Sequence, residues 1–154
     1  KESAPKSRSH TPYSRKSLPE DSFSLLTYCL MPNHFHLLIR QNGDVNLSEL
    51  LKRICTSYSK CFNKKYSRVG SLFQDKFKSV FISNDTQLRQ TFSYIHWNPV
   101  KGKLVDRVSE YPFSGYLEHK NGWVGICDKG AVSNLDLSLE DGHQGGEISD
   151  IIDT

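Results

Sequence analysis

The chain has 154 residues, 36% of them hydrophobic and 24% charged, with a formal net charge of +3. That is enough for one domain with a real core, and it excludes a membrane-spanning helix, since no apolar run approaches the roughly 18–20 residues required. The first residues hold no apolar stretch of the signal-peptide kind, and Cys29, Cys55, Cys61 and Cys127 show no CxxC spacing, which predicts reduced thiols in a cytoplasmic protein rather than a disulfide scaffold.

Charge divides the chain into three. Residues 1–21 carry five basic and three acidic side chains, three prolines and almost nothing apolar, the composition of a disordered or loosely attached lead-in. Residues 22–127 hold 14 basic and seven acidic groups, and residues 128–154 one basic and seven acidic, with glycine and serine between. The resulting division is a lead-in over 1–21, a folded domain over 22–120 and an acidic, mostly disordered tail over 121–154.

In chain order, the apolar run 23–30 (FSLLTYCL) predicts a strand. Met31-Pro32-Asn33 supplies turn chemistry, and 34–40 (HFHLLIR) a second strand, so the two form a hairpin. Side chains alternate faces along a strand. His34, His36, Leu38 and Arg40 share one face and Phe35, Leu37 and Ile39 the other; the second set is expected to pack as core, with the imidazoles looking outward onto a groove. Asn46 can N-cap a helix with Glu49 as its capping-box partner. Leu47, Leu50, Leu51, Ile54, Tyr58, Cys61 and Phe62 then follow helical spacing, which places Tyr58 and Phe62 in the core. A third strand is predicted over 77–82 (FKSVFI). Asp85 starts a second helix through Leu88, Phe92 and Ile95, stopped by Pro99.

Two imidazoles separated by one residue can converge on a cation, because imidazole is a common transition-metal ligand; an H-x-H pair standing alone is more often a pair of hydrogen-bonded strand residues. The second helix adds a candidate third group. At about 100° per residue, Tyr94 and Asn98 fall on one flank of the buried stripe and His96 on the opposite side. An amide oxygen can join a metal site, and a phenol oxygen is a potential nucleophile. The plainer alternative is an amphipathic rim tyrosine followed by a helix-ending asparagine.

The blocks YCLMPNHFHLLI (28–39), GSLFQDKFKS (70–79), YIHWNPVKGKLV (94–105) and EYPFSGY (110–116) together resemble the REP-associated tyrosine transposases, within the HUH single-tyrosine transposase superfamily. The resemblance runs over residues 23–117, with the blocks in the family's order. It implies an α+β, ferredoxin-like (β-α-β-β-α-β) sheet with helices on one face. The polar, proline-rich sequence ahead of Phe23 shows neither the first strand nor the first helix of that pattern, so a copy lacking both is expected. By position, the resemblance makes His34 and His36 ligands of a divalent metal, Mg²⁺ or Mn²⁺, Asn98 the third ligand and Tyr94 the catalytic tyrosine. The implied activity is a single-stranded DNA endonuclease and strand transferase that cleaves near hairpin (palindromic) elements through a 5′-phosphotyrosine link. A catalytically dead or truncated remnant that only binds DNA is the alternative. Monomer and homodimer stay open, and a nucleoid-associated, cytoplasmic setting without a membrane follows.

Between Lys52 and Val80 lie eight basic residues and one acidic. Basic side chains neutralise phosphates and aromatic ones stack unpaired bases. Lys64, Lys65, Arg68, Lys76 and Lys78, predicted in loop or strand, are the candidate DNA contacts. Trp97 has two readings, base stacking or packing.

Overall fold

The computed structural model describes residues 17–134. The expected lead-in up to residue 16 and the expected tail from residue 135 lie outside them. The architecture is α+β, one antiparallel hairpin with three helices. It comprises β1 (Phe23–Leu30), β2 (Phe35–Gln41), α1 (Leu47–Lys65), α2 (Asp85–Lys101) and α3 (Tyr116–Asn121), with short 3₁₀ turns at Val108–Glu110 and Gly130–Val132. No helix among the described residues is long and apolar enough to cross a membrane.

β1 and β2 pair from Phe23 with Gln41 to Leu30 with Phe35, and the Met31 N–H donates to the His34 carbonyl (2.9 Å) to close the turn. The register shifts between Leu25 and Thr27, so Leu26 is an extra residue in β1, a bulge that leaves its carbonyl outside the ladder. The His119 ring takes up that carbonyl (2.8 Å).

α2 lies across the hairpin, and its position decides which face is core. Leu26, Cys29 and Leu38 from the strands join Phe92, Ile95, Tyr111 and Val132 in one buried cluster. The expected assignment of faces is therefore reversed. Leu38, which shares its face with His36, is buried, whereas Phe35, Leu37 and Ile39 are only half-buried. Both faces of β2 carry apolar side chains, so alternation could not choose between them; the docking of α2 on the His36–Leu38 face does. The imidazoles thus stand at the margin of the core.

The outer edge of β1 is covered. The Leu30 N–H donates to the Phe113 carbonyl (2.8 Å), the Gly115 N–H to Tyr28 (3.0 Å) and the Asp128 N–H to Leu25 (2.8 Å), which removes one sticky edge. Gly115 permits that approach, since a Cβ there would stand 2.7 Å from Thr27 Oγ1 and 2.9 Å from Cys127 Sγ. The first part of the expected tail, Gly122 to Asn134, accordingly packs back on the hairpin, with Cys127 and Val132 buried.

Three further expectations are corrected. The 77–82 run forms no strand, and Phe77, Val80 and Phe81 are exposed. A strand needs a neighbour for its N–H and C=O groups. In a ferredoxin-like sheet the last strand pairs with the first, and the described residues contain only the hairpin. The four-stranded sheet is therefore not formed among them. α2 continues through Pro99 to Lys101. The proline removes one N–H but its ring is fully buried, and the Gly102 N–H still closes the last turn onto the Asn98 carbonyl (2.8 Å). Finally, Asn46 caps α1 through Ser48 (2.9 Å) as expected, but Glu49 pairs with Arg53 (2.7 Å) instead of completing a capping box.

Candidate active site

His36 sits in β2 opposite Cys29, and Tyr94 projects from the middle of α2. Because α2 crosses the His36 face, their rings meet edge to face with centroids 5.7 Å apart. His34, just before the strand, places its ring 4.9 Å from that of His36. The structure thus brings together three of the predicted site residues, drawn from two elements some sixty positions apart in the chain.

The two imidazoles are prepared differently. His34 Nδ1 lies 2.7 Å from Asn33 Oδ1. For a neutral ring, the N–H at Nδ1 donates to the amide oxygen and leaves a lone pair on Nε2, the usual way a neighbour fixes the tautomer of a ligating histidine. His36 Nε2 is buried and has no hydrogen-bond partner. Burial holds the His36 pKa below its ordinary value, and the neighbouring His34 adds to that. A buried ring nitrogen without a partner is a costly arrangement for packing alone, and beside a second imidazole it suits a cation. Among the described residues, no group of three or more His, Cys, Asp or Glu side chains could hold a metal.

Asn98, one turn after Tyr94, is buried, and its Nδ2 donates to the Tyr94 carbonyl (2.8 Å). The amide is thereby tied to the Tyr94 flank, with its oxygen as the atom able to serve a cation. Lys101 places its ammonium 5.1 Å from the centre of the Tyr94 ring. Sequence reasoning passed over this residue, although it lies seven positions after Tyr94, two helical turns on the same flank. His96 falls on the other side of α2, as the helical wheel requires. It is buried against Phe92 and Tyr116 and shares a 2.6 Å hydrogen bond with Thr27 Oγ1.

The candidate DNA contacts lie elsewhere on the surface. Lys64 and Lys65 close α1, Arg68 follows it, and Lys76 and Lys78 lie in the extended segment before α2; all five are exposed. No contact joins them to the imidazoles among the described residues. Trp97 is half-buried.

The family model described as IS200-like transposase matches residues 9–98, more than half of the chain. The chain belongs to the IS200-like transposase family. Its match begins inside the polar lead-in, ahead of the point where the motifs become recognisable. This IS200-like transposase is 26% identical over 130 residues to a Haemophilus influenzae protein named as a REP-associated tyrosine transposase, covering 77% of the chain and 72% of that protein. It is 27% identical over 95 residues to the REP-associated tyrosine transposase of Escherichia coli, covering 61% of the chain and 54% of that protein, so it spans about half of that relative. No solved structure matches it.

Proposed function

We propose that the chain is a metal-dependent single-stranded DNA endonuclease and strand transferase, with Tyr94 as nucleophile, that cuts beside DNA hairpins. One observation carries this reading: a phenol from α2 lies against a pair of imidazoles, one of which keeps a buried nitrogen unpartnered. His34, His36 and Asn98 would hold a divalent cation such as Mg²⁺ or Mn²⁺. Bound there, the ion supplies positive charge to a phosphate oxygen.

The chain's own groups account for the rest. Tyr94 Oη attacks phosphorus and loses its proton to solvent; the P–O3′ bond breaks, and the departing O3′ takes up a proton. The products are a 5′-phosphotyrosine link and a free 3′-hydroxyl. Attack by another 3′-hydroxyl reverses the step, and the retained ester bond makes ATP unnecessary. The Lys101 ammonium, 5.1 Å from the centre of the Tyr94 ring, adds positive charge beside the reacting phosphate. Lys64, Lys65, Arg68, Lys76 and Lys78 neutralise phosphates along the flanking strand.

The test uses hairpin-bearing single-stranded DNA labelled at its 3′ end, incubated with the protein and Mn²⁺ and run on a denaturing gel. The proposal expects a labelled protein–DNA adduct that disappears in Tyr94→Phe. Salt-sensitive binding without any adduct, or an adduct that survives Tyr94→Phe, would overturn it.

A further inference from the structure

The last turn of α2 closes in a specific way. Gly102 follows the final helical residue, the Lys103 N–H donates to the Val100 carbonyl (2.9 Å) and the Leu104 N–H to the Pro99 carbonyl (2.9 Å). These two bonds form a Schellman closure, which puts the residue after the cap in the left-handed region and most often gives that place to glycine. Here Lys103 holds it, with φ 56°. The other non-glycine residues of this kind among the described ones are Asp21 and Ser67, whose side chains are short. A Cβ in this conformation crowds the following carbonyl, so the backbone itself disfavours a lysine.

The glycine of this turn stands one residue earlier and for another reason. Gly102 has φ −74°, which any residue adopts, but a Cβ on it would stand 3.2 Å from Met31 Cε. The Met31 N–H closes the turn between the strands by donating to the His34 carbonyl. The end of α2 therefore lies against the turn that leads into the first imidazole. On one side of Gly102, Lys101 sets its ammonium 5.1 Å from the centre of the Tyr94 ring. On the other, Lys103 is exposed. A cation near a helix C-terminus also complements the macrodipole, but Lys101 already fills that role from within the last turn.

Building on the reading of Tyr94 as nucleophile toward a phosphodiester, we propose that Lys103 is a phosphate-binding residue of the same site, set by the left-handed turn to hold a phosphate neighbouring the one under attack. Strained backbone positions persist where the surrounding structure over-determines them, and they cluster at ligand clamps. The two backbone hydrogen bonds and the close approach of Gly102 to Met31 fix the base of the Lys103 side chain relative to His34. A lysine ammonium then meets phosphate as a point charge. Lys101 serves the reacting phosphate beside the phenol, and Lys103 the next one along the strand.

The test is binding of the labelled, hairpin-bearing single-stranded DNA in EDTA, which prevents any chemistry, followed by anisotropy at several salt concentrations. One phosphate contact on a single strand contributes about 0.7 to the slope of log affinity against log salt, or about fivefold at 0.1 M salt. Lys103→Gly and Lys103→Asn are each expected to lose that much, and Lys103→Arg to bind as the wild type. Both uncharged residues accept the left-handed turn, so the urea midpoint of Lys103→Gly is expected to equal or exceed that of the wild type. A series of the same DNA with one phosphate at a time replaced by an uncharged methylphosphonate locates the contact. At one position in the unpaired flank the substitution should weaken the wild type about fivefold and leave Lys103→Asn no weaker than before. Wild-type affinity in both uncharged variants would overturn the proposal. So would losses that add at every phosphate, or a loss that accompanies a lowered urea midpoint and is not restored by Lys103→Arg. The adduct assay separates the two proposals. Interference at one phosphate with no adduct in the wild type leaves the Lys103 contact standing and removes Tyr94 as nucleophile. An adduct together with additive losses everywhere, or with the interfering phosphate more than about two nucleotides from the cut, keeps Tyr94 and removes Lys103 from the site.

Discussion

Lowering the pH should destabilise this protein, most of all through His96. Its ring is 1% exposed, enclosed by Phe92, Tyr116 and His119 and hydrogen-bonded to Thr27. Burial pushes its pKa from 6.5 down to about 3, and His119 adds to the shift. Between those values the unfolded chain binds a proton that the folded one refuses, so stability is full above about pH 6.5 and falls as the pH drops below it. At about 1.36 kcal/mol per pH unit, acidification to pH 5 costs about 2 kcal/mol from this residue alone. With a urea m-value of about 2 kcal/mol per molar, the unfolding midpoint should move by roughly 1 M. The assay is urea unfolding by circular dichroism at pH 7.5 and pH 5, for wild type and His96→Leu. The variant leaves the Thr27 hydroxyl unpartnered at every pH, so its absolute stability is not the readout. His36 and His119, whose pKa values are also held low mainly by burial, contribute to the acid loss in both proteins. The difference between the two pH responses isolates His96. Parallel responses would refute a neutral, buried His96.

Gly115→Ala should cost about 1–3 kcal/mol in chemical denaturation, because its Cβ would stand 2.7 Å from Thr27 Oγ1 and 2.9 Å from Cys127 Sγ; wild-type stability would show that the β1 edge is not closed as described. Lys101→Met should slow adduct formation roughly tenfold, since an exposed ammonium 5.1 Å from the Tyr94 ring centre acts through a strongly screening medium. Lys101→Arg should retain the rate, and an unaffected Lys101→Met variant would remove this residue from the site. His36→Ala should abolish saturable Mn²⁺ binding in calorimetry while leaving folding intact, and undiminished binding would place the cation elsewhere.

What could be read from the sequence was local. Pro32 and Asn33 between two alternating apolar runs give the hairpin, which the structure shows over Phe23–Leu30 and Phe35–Gln41. Asn46 begins α1 and Asp85 begins α2 at the expected positions, because caps act within one turn. Tyr94 and Asn98 share a flank for the same reason, since helix geometry needs no knowledge of the rest of the chain. What escaped was decided at long range. The 77–82 run has strand composition, but a strand is a pairing, and the partner cannot be inferred from the run itself. Tyr58 carries the same apolar signal as a core residue, and only the placement of α1 shows it half in solvent. Lys101 is legible as a neighbour of Tyr94 once the helix is known to pass Pro99, which the local rule forbade.

His36 and His96 show how burial can serve two different ends. Each is a histidine at a largely apolar position, and each is kept neutral chiefly by loss of water. Each also retains one ring nitrogen without a partner, Nε2 in His36 and Nδ1 in His96, at a cost of about 1–3 kcal/mol apiece. Their surroundings differ in chemistry. The other nitrogen of His96 is held by Thr27, and its remaining neighbours are rings of the core, so the cost is absorbed in packing and a leucine of similar volume could take its place. The neighbours of His36 are a second imidazole hydrogen-bonded to Asn33 and a phenol with an ammonium beside it. The proposed reading sets this imidazole, phenol and ammonium to act on a phosphodiester. The reversed face of β2 connects the two cases: α2 docks on the His36–Leu38 side, which buries His96 against Thr27 and, one half-turn back, brings Tyr94 to His36. A hairpin packed the expected way round would have left the imidazoles in solvent, fully hydrated and out of reach of Tyr94.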